Sequence, residues 1–466
     1  MRIFNRYYSS YDVFLVAGDF LLTFLVTIGL RTTWHLAGFP TISSWVFFAT
    51  QGLVMAAVLV IAFYYADLYA IDQTLSVREL LLRFMSGFGT ACVVIGLISY
   101  PIPQLGFKKI YASEMLLMGL VLSLWRVGFM RVIEQAKIHA KVLIIGVQSI
   151  GKLVAEQLFQ QKTLGMEVVG FVGSAGGEVK LSYGNPTRIS LPVFSPRSIG
   201  SLIENAGVNR ILLAGGEAWG DYAAEELVKL RLKGVTVEDC HSFYERLVSK
   251  IAIVDLSPEW IVLAKGFRRD RLILIAKRVI DIVVSGIGLL CSLPLSIATG
   301  ILIKLESSGP LFYRQERMGR DGQNFILYKF RSMSVDAEED VGPVWASVND
   351  PRVTRVGRII RKLRIDEIPQ MINVLKGEMS FVGPRPERPF FVNKLKEKIP
   401  YYYLRLSVKP GITGWAQISY PYGDSEAGAV EKLQYDLYYI KNMSVLFDLQ
   451  IIFESLKVIL LGKGAR

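Results

Sequence analysis

Four long apolar runs near the start of the chain constrain its fold more than any other feature. Each has close to the roughly 20 residues that a membrane-spanning helix needs, and none shows the amphipathic spacing of a helix that lies on a soluble core. The pattern predicts a four-span transmembrane domain over residues 1–135, with buried helices of a soluble core as the alternative. The runs are Val13–Leu30, Trp45–Tyr65, Phe84–Tyr100 and Glu114–Met130.

Charged residues within and beside these runs bear on packing and orientation. Asp19 and Arg126 interrupt the first and fourth runs, and we expect them to serve helix packing or to lie at the membrane interface. Basic residues precede the first run and follow the fourth, which predicts that both ends of the four-span domain face the cytoplasm. Two lysines before the fourth run argue against this orientation. The supporting residues are Arg2, Arg6, Arg131, Lys137 and Lys141, and the opposing ones are Lys108 and Lys109.

The composition excludes several classes of protein. The 466 residues are 52% hydrophobic and 20% charged, with a formal net charge of +12. This positive surplus favours anionic partners such as phospholipid headgroups, nucleotides or nucleic acid. Three cysteines are too few for a disulfide framework, and three histidines without a Cys/His cluster argue against a zinc site.

Buried strands and helices alternate after the four runs, an order typical of a Rossmann-like α/β domain. The glycine pattern is incomplete, because Gln148 stands where a middle glycine would let a pyrophosphate approach the backbone. We therefore expect residues 136–265 to form a structural or regulatory domain with no cofactor-binding residues, and dinucleotide binding is the alternative. The predicted strands are Lys141–Gly146, Glu167–Gly173 and Arg210–Gly216, and the predicted helices are Gln148–Gln160 and Glu225–Lys233.

A further apolar stretch, Val279–Leu305, contains Pro294 near its middle. Proline removes a backbone hydrogen bond and kinks a helix. Basic residues flank both ends, so a helix that bends at Pro294 and returns would keep both clusters and all later residues in the cytoplasm. We expect such a re-entrant helix over about residues 279–305, with an ordinary kinked span as the alternative. The flanking residues are Arg268, Arg269, Arg271, Lys277, Arg278 and Lys304.

The last third of the chain is polar and basic. Tyr313–Gly322 is predicted to be a basic turn and Phe325–Phe330 a strand, and beside a membrane helix such a turn could simply bind anionic lipid. The adjacent acids Asp366 and Glu367 precede a proline, which is tolerated near a helix start. The pattern predicts a helix from about Asp366, as its N-cap, to Lys376, ended by Gly377.

Two carboxylates at a helix N-terminus, close to cations, suit phosphoryl transfer. The acids can attack phosphorus or hold Mg²⁺, and the cations offset the charge that develops on the phosphoryl oxygens. Arg385, between two prolines, is a candidate phosphate clamp. Trp415 is expected in the core, with a membrane-interface anchor or a platform for a base as the alternatives. An N-cap aspartate with ordinary surface arginines is the alternative. Arg358, Arg361 and Lys362 have the spacing of one helix face, and Lys409 is held in a proline- and glycine-rich loop.

Ordered motifs from about Lys277 to Lys463 resemble the bacterial sugar transferases, the polyprenyl-phosphate hexose-1-phosphate transferases also called monotopic phosphoglycosyl transferases. The upstream part resembles the long form of this family, with four spans and a Rossmann-like domain, and is similar to members associated with exopolysaccharide synthesis. The motifs are Lys277-Arg278, Asp281, Tyr313–Arg317, Lys329–Met333, Asp366–Gln370, Asn373–Gly377, Gly383–Pro386 and Lys409–Trp415.

The resemblance implies a fold and an activity. It implies a membrane α plus α/β protein whose mostly helical catalytic domain, residues 266–466, lies on the cytoplasmic side of the bacterial inner membrane. Such an enzyme transfers a hexose-1-phosphate, glucose or galactose by expectation, from a UDP-sugar to undecaprenyl phosphate and releases UMP. The expected partners are these two substrates and membrane lipid, with a homodimer as an option and no nucleic acid.

The resemblance also implies roles for individual residues. Asp366 matches the nucleophile that forms a covalent phosphosugar intermediate, and Glu367 matches the acid that assists it, both as ligands of Mg²⁺. The family helix bends at a Ser-Pro pair, whereas this chain has Leu293-Pro294 with Ser292 one place early. The proline kink is retained, but Leu293 cannot make the hydrogen bond of a serine at that place. The residues expected to bind phosphate or substrate are Lys329, Arg331, Arg358, Arg361, Arg385 and Lys409.

Two functions of other classes stay open on the sequence alone. One is a membrane-tethered nucleotide-sugar oxidoreductase or epimerase that uses the Rossmann-like domain, although the incomplete glycine pattern opposes it. The other is a non-catalytic scaffold for polysaccharide synthesis. Release of UMP from a UDP-sugar would separate a transferase from both.

Overall fold

The structure is a computed structural model of the 466-residue chain. The residues it describes are 2–3, 6–7, 10–36, 45–69, 77–99, 111–135, 140–160, 165–173, 176–183, 187–214, 224–264, 266–267, 270–334, 352–420 and 425–460. Five of the basic residues that bear on orientation lie outside this part of the chain, namely Lys108, Lys109, Lys137, Arg268 and Arg269. The structure divides into two compact units, residues 1–240 and 241–466.

The N-terminal part of the first unit contains the four expected helices, which confirms helix formation in all four apolar runs. Two short strands, β1 (Arg2–Ile3) and β2 (Arg6–Tyr7), precede them. The helices are α1 (Ser10–Leu36), α2 (Trp45–Tyr65), α3 (Val77–Ser99) and α4 (Tyr111–Gln135). By length and composition, α1, α2 and α3 could each cross a membrane, whereas α4 carries more charge, including Glu114 and Arg126.

Two buried ion pairs join α1 to α4. Arg126 Nη2 lies 2.5 Å from Asp19 Oδ2, and Arg31 Nη2 lies 3.0 Å from Glu114 Oε2. The guanidinium of Arg126 also lies over the ring of Phe63, 4.7 Å from its centroid. The charges inside the apolar runs therefore serve helix packing, one of the two roles expected from the sequence.

A six-stranded sheet follows in the same unit, and the predicted strands and helices of this segment are confirmed, except that Gly215 and Gly216 at the end of the third predicted strand lie outside the described residues. Its order is β5–β6–β4–β3–β7–β8, parallel except that β5 is antiparallel to β6. The central strands are continuous apolar runs because both of their faces are covered. The strands are β3 (Ala140–Ile145), β4 (Met166–Val172), β5 (Gly177–Tyr183), β6 (Thr187–Phe194), β7 (Val208–Leu213) and β8 (Thr236–Asp239). The helices are α5 (Ser149–Gln160), α6 (Ile199–Ala206) and α7 (Ala224–Leu232).

The second unit begins at residue 241, whereas the sequence predicts that the catalytic domain starts at residue 266. Helices α8 (Cys240–Val248) and α9 (Pro258–Leu263) belong to the segment that precedes residue 266, and residues 241–264 pack within the C-terminal unit. The backbone N–H of Ile251 donates to the Gln434 carbonyl at 3.0 Å. The indole N–H of Trp415 donates to the Ser249 carbonyl at 2.8 Å. Trp415 is 4% exposed, so its predicted place in the core is confirmed.

The longest helix, α10 (Arg271–Glu306), has 36 residues and also meets the length and composition of a membrane helix. It begins earlier than the apolar stretch because Asp270 caps it, accepting from the Leu272 N–H at 2.9 Å. The helix continues through Pro294. Apolar side chains in its middle are exposed, including Leu290 at 73% and Ile297 at 56%.

The rest of the unit is mostly helical and carries short strands. One prediction is wrong here, because most of the expected basic turn at Tyr313–Gly322 is the strand β9. The predicted strand at Phe325–Phe330 is confirmed as β10, which pairs antiparallel with β9. Strand β11 is parallel to β12. The elements are β9 (Phe312–Met318), β10 (Asn324–Phe330), α11 (Arg355–Lys362), α12 (Gln370–Lys376), β11 (Ser380–Val382), α13 (Pro389–Lys398), β12 (Gly411–Thr413), α14 (Trp415–Ser419), α15 (Glu426–Lys441) and α16 (Val445–Leu460).

Candidate functional site

The acids Asp366 and Glu367 lie on a tight turn and not at the start of an α-helix. Residues Ile365–Glu367 form a 3₁₀ turn, and α12 begins only at Gln370, with Pro369 as its N-cap residue. The prediction that Asp366 is the N-cap of this helix is therefore wrong. The predicted helix end is confirmed, since Gly377 adopts a left-handed φ of 87° directly after Lys376.

Two local features shape this turn. Arg364, just before it, has a left-handed φ of 57°, an unusual backbone for a residue with a side chain. Ile365 packs in a small core with Ile303, Phe330 and Ile360. The buried isoleucine anchors the turn, and Asp366 and Glu367 are consequently only 7% and 8% exposed.

Three cations surround one oxygen of Glu367. Its Oε1 accepts a hydrogen bond from Arg385 Nη2 at 2.7 Å, and Lys329 Nζ and Arg364 Nη1 lie 3.2 and 3.5 Å away. Burial opposes ionisation of this carboxyl, but Arg385, Lys329 and Arg364 together outweigh burial and hold the pKa of Glu367 well below its usual range. Glu367 is therefore a fixed negative charge at neutral pH.

Asp366 has the opposite environment. Within the described part of the chain its buried Oδ1 has no hydrogen-bond partner. Burial raises the pKa of Asp366 above its usual value, and Lys329 is the strongest of the influences that oppose this rise. A desolvated carboxylate is more basic than one in water. The pair therefore combines Glu367, whose negative charge is balanced by cations, with Asp366, whose carboxylate is more basic.

The two closest cations come from different parts of the fold. Lys329 lies near the end of β10, and burial lowers the pKa of its ammonium. Arg385 lies in the loop between β11 and α13, and its side chain remains 35% exposed. Glu367 raises the pKa of Arg385, which is permanently charged. Both residues are among those expected from the sequence, and the structure brings them to the acid pair.

Four other expected residues lie elsewhere. Arg331 is buried and donates to the carbonyls of Ser307 and Ser308 at the end of α10, so it anchors the chain there. Arg358 is exposed and Arg361 half-buried on α11, and in the described structure neither is hydrogen-bonded or ion-paired to the acid pair. Lys409 has Arg278 as its strongest charged neighbour; burial, followed by Arg278, lowers the pKa of Lys409.

Sequence reasoning missed the contribution of Arg364. Its separation of three residues from Glu367 is the spacing of a local ion pair, and this is the only local signal that points to it. The buried pair Lys277 and Asp448, joined at 2.7 Å, fixes the first part of α10 against α16. Asp281 accepts from the Phe381 N–H at 2.8 Å, which fixes α10 against β11 beside the Arg385 loop.

The acid pair fits a magnesium site in which the substrate supplies some of the ligands. Among the described residues there is no group of three or more His, Cys, Asp or Glu side chains that could enclose a metal. Magnesium in phosphoryl-transfer sites is commonly held by one or two carboxylates together with substrate phosphates. The unpartnered Oδ1 of Asp366 and the neighbouring Glu367 carboxylate match that donor set.

Comparisons with known proteins identify the family. Residues 272–462, which contain every candidate site residue, match the family model of the bacterial sugar transferases. The chain is 48% identical over 190 residues to a UDP-N-acetylgalactosamine-undecaprenyl-phosphate N-acetylgalactosaminephosphotransferase of Aeromonas hydrophila, covering 41% of this chain and 45% of that protein. It is 44% identical over 179 residues to a UDP-glucose:undecaprenyl-phosphate glucose-1-phosphate transferase of Escherichia coli, covering 38% of each.

A shorter relative shows how far the likeness extends. The exopolysaccharide production protein PSS of Rhizobium leguminosarum bv. phaseoli is 39% identical over 197 residues, which are 41% of this chain and 98% of that protein. The matches span less than half of the Aeromonas and Escherichia proteins and nearly all of the Rhizobium protein. The likeness is therefore concentrated in the unit that holds the acid pair, and the chain belongs to the bacterial sugar transferase family.

Proposed function

We propose that the chain is a membrane enzyme that transfers a sugar-1-phosphate from a UDP-sugar to undecaprenyl phosphate and releases UMP. The observation that carries this proposal is the unequal acid pair, in which Glu367 is neutralised by cations while Asp366 keeps a buried, unpartnered oxygen. The names of the relatives, which act on UDP-sugars and undecaprenyl phosphate, support the substrate classes.

The reaction would proceed by two displacements. Asp366 Oδ1 forms a bond to the phosphorus that carries the sugar, and the bond from this phosphorus to the bridging oxygen breaks, so UMP leaves with the electron pair. An oxygen of undecaprenyl phosphate then bonds to the same phosphorus, and the bond to Asp366 breaks and restores the carboxylate. Arg385 and Lys329 supply positive charge beside the reacting phosphoryl group.

Magnesium would complete the site. Asp366 and Glu367 would hold it together with the diphosphate, and when bound it would neutralise charge on the phosphate oxygens. The chain's own residues perform the remaining tasks. Glu367 holds the guanidinium of Arg385 and the ammonium of Lys329 in place, and the surrounding burial keeps water away from Asp366.

The contacts of α10 support a re-entrant helix. Near its start, Lys277 is bound to Asp448 of α16. At its end, Glu306 Oε1 accepts from the N–H groups of Arg355 and Val356 at 2.7 and 3.1 Å. Both ends therefore contact the same compact unit, whereas a straight span would place them on opposite sides of a membrane. A bend at Pro294 would let the exposed apolar middle enter the bilayer and return.

Thiol labelling in intact bacterial cells tests this topology. After Cys92, Cys240 and Cys291 are replaced by serine, single cysteines at the exposed positions Glu316 and Glu397 should resist an impermeant thiol reagent. A cysteine at Thr41, between the first two predicted spans, should be labelled. Labelling of Glu316→Cys or Glu397→Cys from outside would contradict the cytoplasmic catalytic unit.

We also infer that the six-stranded sheet is a Rossmann-like domain with a structural role. Gly151 supports this, because a Cβ there would lie 3.1 Å from the Ala214 Cβ and from the Ile144 Cγ2. This glycine permits close packing of α5 on the sheet, which a helix needs with or without a nucleotide. Saturable binding of NAD by the purified protein would contradict the inference and favour the oxidoreductase alternative.

A phosphoryl trapping experiment tests the transferase itself. A UDP-sugar labelled in its β-phosphate, incubated without lipid acceptor, should label the wild-type protein and not Asp366→Asn, and hydroxylamine should remove the label from the acyl phosphate. Asp321→Asn is the matched control, since Asp321 is exposed on the turn between β9 and β10. Label on Asp366→Asn would reject the covalent step, and no UMP release by the wild type would favour the scaffold. A panel of UDP-sugars would identify the hexose.

A further inference from the structure

The loop that carries Arg385 is bound at four consecutive carbonyls. Pairing of successive carbonyls in a loop without regular secondary structure restrains its backbone. The carbonyls of Pro384, Arg385, Pro386 and Glu387 accept from Gly411 N at 2.9 Å, Arg405 Nη2 at 3.0 Å, Arg317 Nη1 at 3.1 Å and Met318 N at 3.0 Å, in that order. Two of these four donors are arginine side chains.

Arg405 is the more deeply buried of the two arginines. Its side chain is 8% exposed, whereas that of Arg317 is 19% exposed. Besides the Arg385 carbonyl, its guanidinium contacts the Tyr402 hydroxyl at 2.5 Å and Asp436 Oδ2 at 3.1 Å. One planar guanidinium thus donates hydrogen bonds to the Arg385 carbonyl and the Tyr402 hydroxyl and forms an ion pair with Asp436, an arrangement that a lysine ammonium cannot reproduce.

Asp436 supplies the counter-charge that makes this burial possible. It lies on α15 and is 1% exposed. Burial raises the pKa of Asp436 to about 6, with Arg405 opposing the rise. At neutral pH the carboxylate is mostly ionised and balances the buried guanidinium. The Arg405–Asp436 pair is therefore a buried ion pair that contacts the Arg385 carbonyl and is separate from the acid pair Asp366 and Glu367.

We propose that Arg405 is a positioning residue for sugar-phosphate transfer, acting through the backbone of Arg385. Its hydrogen bond to the Arg385 carbonyl, together with the flanking prolines, fixes the backbone from which the Arg385 side chain reaches Glu367 and the phosphate. Since Arg385 is partly exposed, its direction depends on the backbone more than on packing around its side chain. This inference rests on the proposed function, because it assigns Arg405 a task in that reaction.

A double-mutant cycle separates positioning from general stability. Arg405→Lys should lower kcat for UMP release about tenfold and change KM for the UDP-sugar less than about threefold. In an Arg385→Ala background the same substitution should change kcat by less than about twofold, because the side chain it positions is gone. The decrease in thermal stability caused by Arg405→Lys should be the same in both backgrounds. An equal loss of kcat in both backgrounds would overturn the proposal.

Two further variants complete the test. Lys250→Gln removes a half-buried ion pair to Glu431, also on α15, and should lower stability without any coupling to Arg385 in kcat. If Arg405→Lys does not fold, Asp436→Asn takes its place and should show the same loss of effect in the Arg385→Ala background. Wild-type kcat in Arg385→Ala alone would contradict the phosphate clamp and this inference, while trapping at Asp366 would still support the transferase.

Discussion

Buried charges occur in two regions of this protein, and they are balanced in one and unbalanced in the other. Between α1 and α4, each carboxylate has one arginine partner, Asp19 with Arg126 and Glu114 with Arg31, and both carboxylates are fully buried. These pairs sum to zero charge, which is what an apolar environment tolerates. They have the character of structural contacts that fix the register of two helices.

The acid pair differs in charge and in access. Three cations, Lys329, Arg364 and Arg385, face two carboxylates, and the side chains of Arg364 and Arg385 are 41% and 35% exposed. A partly open cluster with a surplus of positive charge is suited to an anion that arrives and leaves. Buried charge occurs in both regions, and what sets the acid pair apart in the described structure is its surplus of positive charge beside an Asp366 oxygen that has no hydrogen-bond partner.

The largest expected effect tests the surplus of charge. Glu367→Gln should lower kcat for UMP release about 1,000-fold, roughly 4 kcal/mol in activation free energy, because Arg385 and Lys329 lose the carboxylate that orients them. Steady-state assay of purified protein measures this, with the exposed Glu316→Gln as the control. Activity within about tenfold of wild type would show that Glu367 is a structural counter-ion like those of the helical bundle.

The second effect tests the balanced pairs. Asp19→Asn leaves the Arg126 guanidinium buried without its counter-charge and should lower the free energy of unfolding by about 3 kcal/mol. Adding Arg126→Met should recover part of this loss, because the uncompensated charge is then gone. Thermal unfolding in detergent measures both variants. UMP release per folded molecule should stay near the wild-type rate, and a loss as large as that of Glu367→Gln would contradict a purely structural role.

The smallest effect concerns pH. The proposed reaction requires an ionised Asp366, and the raised pKa of Asp366 places the loss of kcat on acidification above the ordinary aspartate value of 3.8. Lys329 is the strongest influence that lowers this pKa, so Lys329→Met should move the acid limb to higher pH. A profile of kcat between about pH 4 and 8 tests this, and an unmoved acid limb would separate Lys329 from Asp366.

The two acids should also affect stability in opposite directions. Because the pKa of Asp366 is raised in the folded state, the native protein binds more protons at this site, and stability falls as pH rises from 3.8 through the folded pKa. The pKa of Glu367 is lowered, so its stabilising contribution is present above its ordinary pKa of 4.5 and is lost as the pH falls.

Much of the fold was accessible from the sequence, and the reasons differ between elements. The span Trp45–Tyr65 matches α2 residue for residue, because a long apolar run has few alternatives to a helix. The turn at Ile365–Glu367 was not accessible, since it depends on the left-handed Arg364 and on the packing of Ile365 against distant residues. β9 was expected as a turn because its partner strand, not its composition, makes it a strand.

The candidate site was accessible in part. Asp366, Glu367, Lys329 and Arg385 were expected, and the structure brings them together because β10 and the loop after β11 meet at one turn. Arg331, Arg358 and Arg361 offer the same guanidinium chemistry in the sequence, but their surroundings in the fold differ, and the sequence does not show this. Nothing in the local sequence linked Arg405 to the site, since Asp436 and the Arg385 carbonyl are far from it along the chain.

The packing of residues 241–264 has a practical consequence for dissecting the protein. A fragment cut at residue 272, where the family match begins, would lose the Ser249 carbonyl that accepts from the Trp415 indole and the Leu256 carbonyl that accepts from the Tyr401 hydroxyl. Burying a polar group without its partner is costly, so such a fragment would be prone to aggregate on expression. A truncation that starts before α8 retains these acceptors. A chimera with another transferase should therefore also be joined before α8.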